Sequence, residues 1–186
     1  MNKILITFFT VLFCLTSSVG WSLEFKDLVY RDGLYYKKFT EVPFTGKITG
    51  KTTVSFKNGK LDGSWIEYWD NGQLRSKGDF KNGNLDGYWV KYGDDGQLWS
   101  KGNYKNGKRE GSWVSYASNG QLRFKGDFKN GKKEGYWMHY HLNGKLSSKG
   151  EYKNDMEEGS WVNFFENGTL YEKRTGTYKN GKKISK

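Results

Sequence analysis

A Gly-x-Trp motif recurs with a constant step of 24 residues through most of this sequence. Its glycines are Gly63, Gly87, Gly111, Gly135 and Gly159, and its tryptophans are Trp65, Trp89, Trp113, Trp137 and Trp161. A fixed period of this length is typical of repeat proteins, in which each unit is one supersecondary element that packs against its neighbours. The period therefore predicts a linear array of small, similar units.

Turn dipeptides divide each unit into two segments of about ten residues. One series is Asn-Gly at 58–59, 82–83, 106–107 and 130–131, with Asn154-Asp155 in the next slot. The second series is Asn-Gly or Asp-Gly at 71–72, 95–96, 119–120, 143–144 and 167–168. These dipeptides suit two-residue hairpin loops, in which both loop residues have positive φ, and the segments between them are rich in Val, Ile, Tyr, Phe and Trp. We predict an all-β fold: an elongated, twisted antiparallel meander of about eleven strands from residue 51 to residue 185.

Two-residue loops in the second series also predict the strand register. They place four tryptophans opposite glycines of the next strand, as the pairs Trp65–Gly78, Trp89–Gly102, Trp113–Gly126 and Trp137–Gly150. Directly opposed residues share a face, so each indole is expected to lie over the glycine that it faces. The fifth copy departs from the rule, because Trp161 falls opposite Arg174 and Gly176 comes two residues later. We interpret that region as a bulge.

The chain begins with the features of a secretory signal peptide. A short positive start is followed by an apolar run from Ile4 to Leu15 and by small residues that fit cleavage before Trp21. We expect export to the periplasm or outside the cell, or membrane anchoring if the signal is retained. Residues 1–20 are then the signal peptide, 21–50 a capping segment with a short hairpin, and 51–186 the repeat array. Cleavage also removes Cys14, the single cysteine.

The formal net charge of +11 and the 13 tyrosines bear on possible partners. The register predicts an apolar, aromatic face and an opposite face of tyrosine and lysine. The candidate binding residues on the second face are Tyr68, Tyr92, Tyr116, Tyr140, Lys77, Lys101, Lys125 and Lys149. Lysine columns favour solubility and also attraction to an anionic membrane or envelope polymer. Nucleic acid carries similar charge, but export argues against it as a partner.

Catalytic signatures are absent from the sequence. There is no Ser-His-Asp set, phosphate loop or nucleophile elbow, and the acids that precede each repeat glycine recur too regularly for an active site. His139 and His141 share a face of one predicted strand, but no cysteine accompanies them, and other repeats carry different residues there. We predict a protein that is not an enzyme and that needs no cofactor or metal.

The unit NGKLDGSWIEYWDNGQLRSKGDFK, residues 58–81, resembles the MORN repeat in its bacterial variant form. The likeness extends over roughly residues 27–183, and such chains are commonly grouped as YwqK-type antitoxins. The resemblance implies an elongated sheet of stacked hairpins that serves as a protein-interaction or lipid-associated scaffold. Three functions follow as hypotheses: a scaffold for a partner protein in the envelope or outside the cell, an antitoxin or immunity protein that neutralises a toxin by binding, and association with anionic membrane or envelope polymer.

Overall fold

The computed structural model describes residues 22–186, so the predicted signal peptide lies outside the described residues. Apart from a 3₁₀ turn at Phe25–Asp27, the regular elements are all strands. They are β1 (Leu28–Arg31), β2 (Leu34–Lys37), β3 (Gly46–Ile48), β4 (Thr52–Lys57), β5 (Lys60–Tyr68), β6 (Leu74–Lys81), β7 (Asn84–Leu85), β8 (Gly87–Tyr92), β9 (Leu98–Lys105), β10 (Lys108–Tyr116), β11 (Leu122–Lys129), β12 (Lys132–Tyr140), β13 (Leu146–Lys153), β14 (Met156–Asn163), β15 (Gly176–Lys179) and β16 (Lys182–Ser185).

The strands from β3 to β16 form one 14-stranded antiparallel sheet in which neighbours in sequence are neighbours in space. The predicted all-β meander is therefore confirmed. It contains more strands beyond residue 51 than the predicted eleven, partly because an irregular segment at Asp86 divides one expected strand into β7 and β8. β1 and β2 form a separate hairpin around Asp32-Gly33, in which Arg31 pairs with Leu34.

The first turn series has the predicted two-residue geometry. In the turn between β4 and β5, Asn58 and Gly59 have φ of 50° and 75°, and Lys57 pairs with Lys60 across them. The remaining asparagines of the series also have positive φ, and in the fifth copy Asp155 takes the place of glycine with φ of 69°. Positive φ at both loop residues matches the right-handed twist of the flanking strands, so these hairpins close with minimal loops.

The second turn series differs from the prediction. In the turn between β5 and β6, only Gly72 has positive φ (82°), and its N–H donates to the Trp69 carbonyl at 3.0 Å while Trp69 N–H donates to the Gln73 carbonyl at 2.8 Å. The loop is thus three residues long, with Gly72 in the left-handed position that follows a type I turn. The two-residue assignment was wrong because the same dipeptide also fits this longer loop, with asparagine at an ordinary negative φ.

The predicted register is nevertheless confirmed. Trp65, Trp89, Trp113 and Trp137 pair with Gly78, Gly102, Gly126 and Gly150. The register shifts by one residue close to each three-residue loop, as it does between Glu67 and Tyr68. The extra residue in the loop is therefore offset by an extra residue in the returning strand, which restores the pairing that a two-residue loop would have given.

The fifth copy keeps the same pairing, so the predicted exception was wrong. Trp161 pairs with Gly176 and not with Arg174. The two additional residues lie in the connection between β14 and β15, where Arg174 N–H and Thr175 N–H both donate to the Tyr171 carbonyl at 3.0 Å. An irregular turn therefore accommodates the insertion, and the sheet beyond it is undisturbed.

The indoles lie on different glycines from those predicted. A Cβ built on Gly126 would lie 2.2 Å from Trp137, and one on Gly150 would lie 2.3 Å from Trp161. Gly78 and Gly102 are covered in the same way by Trp89 and Trp113. Each of these four tryptophans therefore crosses to the glycine of the preceding strand, although its register partner is the glycine of the following strand. This overlap joins successive repeats.

Two sets of hydrogen bonds also connect successive repeats. The indole N–H groups of Trp113, Trp137 and Trp161 donate to the carbonyl oxygens of Asn103, Asp127 and Glu151 at 2.9–3.0 Å. The acid before each repeat glycine accepts the backbone N–H of the asparagine in the next turn, as Glu134 does from Asn154 at 2.9 Å. The same bond is made by Asp62, Asp86, Glu110 and Glu158. These acids therefore bind the turns and leave no free column of carboxylates.

The segment before the repeats packs on the aromatic face at the first end of the sheet. Leu28, Ile48, Val54 and Phe56 form a buried cluster, and Phe25, Tyr35 and Phe44 pack against it. Gly59 ties the segment to the first turn, because its carbonyl accepts Tyr35 N–H and its N–H donates to the Phe44 carbonyl, both at 2.8 Å. The first strands of the sheet are thus covered by aromatic side chains on this face.

Candidate functional site

The face opposite the tryptophans carries one unbroken row of paired residues. From β5 to β14 each member pairs with the next across the strands, and apolar side chains alternate with lysines: Ile66, Lys77, Val90, Lys101, Val114, Lys125, Met138, Lys149 and Val162. We call this surface the lysine face. Its lysines recur every second strand, about 9.6 Å apart at ~4.8 Å per strand, and the row is about 38 Å long.

The predicted tyrosines flank this row on the same face. Tyr68, Tyr92, Tyr116 and Tyr140 each follow a row member by two residues in a regular strand, so they point to the same side. Tyr140 Oη contacts the sulfur of Met138 at 3.6 Å. On the other side of the row, Tyr88 and Tyr136 are about half exposed, at 52% and 50%. By this register the eight predicted binding residues share one face of the sheet, and Tyr92 in addition lines a groove on the aromatic face.

Acids and further lysines modify the charge of this surface. Asp79, Asp127 and Glu151 lie two residues from Lys77, Lys125 and Lys149 on the same strands. Exposed lysines then line the edge formed by the two-residue turns: Lys57, Lys60, Lys81, Lys105, Lys108, Lys129, Lys132, Lys153, Lys179 and Lys182. The row itself is therefore mixed in charge, and the edge beside it is strongly basic.

The aromatic face carries an open groove over the first repeats. A groove of about 360 Å³ lies there, and its walls include four tryptophans and charged side chains: Trp65, Trp69, Trp89, Trp99, Phe80, Glu67, Arg75, Ser76 and Lys91. Trp69 and Trp99 meet edge to face with centroids 6.1 Å apart. Arg75 lies over the Trp69 ring at 4.4 Å and donates to Glu67 at 2.9 Å. We call this feature the tryptophan groove.

The equivalent space two periods later is filled. Phe124 and His139 occupy the positions that Ser76 and Lys91 hold four strands earlier, and both pack on Trp137, with centroids at 5.5 and 5.7 Å. Arg109 and Lys133 cover Trp113 and Trp137 from the other side. Burial lowers the pKa of Lys133 against the opposing influence of Asp155 and Glu157. The groove therefore remains open at Ser76, where the later copy has the larger Phe124.

Sequence reasoning missed Trp69 and Trp99. Both break the 24-residue period, since Trp69 corresponds to Gly93, Ala117, His141 and Phe165, and Trp99 corresponds to Arg75, Arg123 and Ser147. A large aromatic residue that appears once in a variable column is a signal that could have identified the groove. Trp99 lies over Gly93, where a Cβ would be 2.7 Å from its Nε1 atom.

The two histidines have separate environments. His139 is stacked on Trp137 at an interplanar angle of 23°, and its Nε2 atom is buried without a partner. Burial, followed by the nearby Lys133 and Arg123 charges, lowers the pKa of His139 to about 4. His141 Nε2 lies 3.0 Å from the Phe164 carbonyl oxygen. Within residues 22–186, no group of three or more His, Cys, Asp or Glu side chains could hold a metal ion.

His139 predicts a specific dependence of stability on pH. Below the ordinary pKa of 6.5 the unfolded chain binds a proton that the folded chain does not, so the free energy of unfolding should fall as pH decreases from 6.5 to about 4. The site is partly exposed, so solvent screening limits this contribution to about 1–2 kcal/mol. His139→Asn, which installs the residue found at Asn163, should flatten the curve in this range, measured by urea unfolding at each pH.

His141→Asn is the matched control for the loss of an imidazole, since His141 lies two residues further along the chain. Carboxylates titrate in the same range, so the comparison is between each variant and the unsubstituted chain. A curve that is the same for His139→Asn and for the unsubstituted chain would contradict a neutral, buried imidazole.

The fold and its surfaces define a class: a tandem β-hairpin repeat protein with a regular scaffold and variable exposed columns. A family model described as MORN repeat variant matches residues 61–82, 85–106, 109–130, 133–154 and 157–180. These segments make up more than half of the chain, and the chain belongs to the MORN repeat variant family. MORN repeats are commonly non-enzymatic, protein- or membrane-binding scaffolds.

Other comparisons add little. No curated protein matches the chain. A solved structure titled "Crystal structure of GtfA/B complex bound to UDP and GlcNAc" aligns over 82% of this chain and 26% of that chain, with 15% identity and a TM-score of 0.18. The chain therefore corresponds to about a quarter of that protein's length. Among residues 22–186, no helix has the length and apolar character needed to cross a membrane.

Proposed function

We propose that this chain is a non-catalytic scaffold that binds a partner protein through the lysine face, in the cell envelope or outside the cell. The alternating row from Ile66 to Val162 carries the proposal. Apolar side chains at regular intervals supply contact area, tyrosines on both sides supply large amphipathic groups, and lysines supply orientation. Tyrosine is enriched at binding hot spots, and charge governs specificity and association rate more than affinity.

The extended shape of the row supports a protein partner over a small ligand. Across nine strands the surface is a continuous strip about 38 Å long, at ~4.8 Å per strand. Apart from the buried Val90, the apolar members of the row are partly exposed, and strips that mix such residues with tyrosine are typical of interaction surfaces. The placement of this activity outside the cytoplasm rests on the signal-peptide features of residues 1–20.

Site-specific crosslinking tests this proposal. A photo-crosslinking phenylalanine analogue at position 116 of the lysine face should give a discrete adduct in cells, and unlabelled protein should compete for it. The same analogue at position 165, an exposed phenylalanine away from the row, is the control. Lys101→Glu combined with Lys125→Glu should remove the adduct without unfolding the chain. Identical adducts from both positions, or adducts insensitive to charge reversal, would count against the proposal.

The antitoxin function implied by the family resemblance is a special case in which the partner is a toxin. Its support is the resemblance of the repeat unit alone. Deletion of a neighbouring toxin gene should then make this gene dispensable, and the absence of such a neighbour would end that hypothesis.

The basic edge supports a second candidate, association with anionic membrane or envelope polymer. Ten exposed lysines line the two-residue turns, and each lysine near an anionic surface contributes about 1 kcal/mol. Vesicles that contain anionic lipid should therefore carry the protein to the top of a flotation gradient, and high salt should release it. Binding that ignores lipid charge would contradict this candidate.

A further inference from the structure

We propose that the tryptophan groove binds a saccharide. This inference goes beyond the proposed function, because the groove lies on the opposite face of the sheet from the lysine row. Its volume of about 360 Å³ lies at the lower end of the range for small-molecule sites, about 300–1,000 Å³. That volume suits a short carbohydrate and is too small for a folded protein element.

The walls of the groove combine aromatic surfaces with fixed polar groups. Trp69 and Trp99 form a corner, and Trp99 is 39% exposed. The Arg75 guanidinium is held in place by Glu67 and by the Trp69 ring beneath it. Sugar rings present C–H bonds that pack on indole faces and hydroxyls that bond planar polar groups, so this wall matches both features of a saccharide.

A buried donor without a partner supports the same assignment. Trp89 is only 6% exposed, it lines the groove, and its Nε1 atom makes no hydrogen bond among the described residues. The equivalent Nε1 atoms of Trp113, Trp137 and Trp161 all donate to backbone carbonyls. A buried indole N–H usually finds an acceptor, and leaving it unpaired costs about 1–3 kcal/mol.

The different orientation of Trp89 explains why its donor is unpaired. Gly78 faces the Cε3 and Cζ3 atoms of Trp89, whereas Gly102, Gly126 and Gly150 face Cδ2 and Cε2 of their tryptophans. The Trp89 indole is therefore turned relative to the later repeats. Trp65, in the same groove, donates its Nε1 to Ser76 Oγ at 3.0 Å, and Ser76 in turn donates to Glu67 at 3.0 Å.

The polar groups favour a saccharide over a hydrocarbon chain. A hydrocarbon would cover Glu67, Arg75 and Lys91 without offering them a partner, which is unfavourable for buried polar groups. A sugar hydroxyl both donates and accepts, so it can pair with a carboxylate, a guanidinium and an indole N–H. Phe124 and His139 fill the equivalent space over Trp137, so this site is not repeated there.

Titration of the full-length chain with defined oligosaccharides tests this site. The probes are the tetrasaccharides of β-1,4-linked glucose, β-1,4-linked N-acetylglucosamine and α-1,4-linked glucose, followed by tryptophan fluorescence and calorimetry. At least one is expected to bind at millimolar concentrations or below and to shift the indole N–H resonance of Trp89. Trp99→Ala should weaken that binding by at least about tenfold, or about 1.4 kcal/mol, since truncation of a central aromatic residue removes a large share of the binding energy.

Two further variants separate the site from general loss of structure. Ser76→Phe introduces the residue that the third repeat carries at the equivalent Phe124, and it should block the groove while keeping all four tryptophans. Tyr136→Ala, on the lysine face, should leave binding within about twofold. Thermal unfolding confirms that each variant is folded. The proposal would be overturned if none of the three probes binds, or if binding survives both groove variants. It would also be overturned if the groove binds decaproline, a proline-rich peptide, and no saccharide.

Discussion

Trp137→Ala is expected to lower the free energy of unfolding by about 3–5 kcal/mol, the range for truncation of a buried aromatic residue. Trp137 is completely buried, and its ring contacts Phe128 with a centroid distance of 5.0 Å. Its Nε1 donates to the Asp127 carbonyl at 3.0 Å, and its indole covers Gly126. One side chain thus joins strands that belong to consecutive repeats, and its removal leaves a cavity, an unpaired carbonyl and a bare glycine.

Urea unfolding followed by circular dichroism measures this effect, and amide hydrogen exchange shows where it occurs. In a repeat array each unit contacts only its neighbours, so faster exchange should centre on β11 to β13. Trp99→Ala is the matched control, because Trp99 is 39% exposed and should cost less than about 1 kcal/mol. Equal losses in the two variants would contradict the role assigned to the buried indole.

Strand order and pairing could be predicted from the sequence because local turn chemistry determines them in a meander. Asn58-Gly59 and its equivalents require positive φ at both positions, and the structure has this geometry. The length of the other loops could not be read in the same way, since Asn71-Gly72 fits a two-residue or a three-residue loop equally well. The predicted strand register is nevertheless correct, because the bulge near Glu67 offsets the extra loop residue.

The sequence does not predict toward which neighbouring strand each indole points. Trp137 has Gly150 as its register partner on one side and Gly126 on the other, and both glycines are on its face of the sheet. Alternation of side chains identifies that face and cannot choose between the two neighbours. The choice depends on the side-chain rotamer and on the Asp127 carbonyl, which accepts the indole N–H. Neither can be read from the order of residues in the sequence.

The two candidate surfaces also differ in whether the sequence predicts them. The lysine face follows from register and alternation, so the eight predicted residues lie together. The tryptophan groove depends on two tryptophans outside the period and on Ser76, at a position where the third repeat carries Phe124. A consensus sequence of the repeat omits residues that occur in a single copy. Positions that keep the same residue in every repeat therefore indicate the scaffold. Positions that vary between repeats indicate the features that are particular to this protein's surface.

Gly126→Ala is expected to lower the free energy of unfolding by about 1–3 kcal/mol, the usual effect of overpacking. Gly126 does not have positive φ, so alanine suits its backbone, and a change of this kind at an unconstrained strand position would stabilise the chain by about 0.4–1 kcal/mol. The added Cβ would lie 2.2 Å from Trp137 and force the indole to move. The sign of the change therefore reports whether the glycine supports the indole. Urea unfolding of Gly126→Ala and of Lys125→Ala, an exposed neighbour, measures it.

A double-mutant cycle then identifies which glycine supports which tryptophan. In the Trp137→Ala background, Gly126→Ala should lose its penalty, because the ring that it displaces is gone. Gly150→Ala should keep its penalty in that background, since the side chain above Gly150 is Trp161. An indole lying over its register partner would give the opposite pattern, with Gly150→Ala relieved and Gly126→Ala unchanged. The cycle thus separates pairing in the strand ladder from packing between repeats, and only the second holds one repeat on the next.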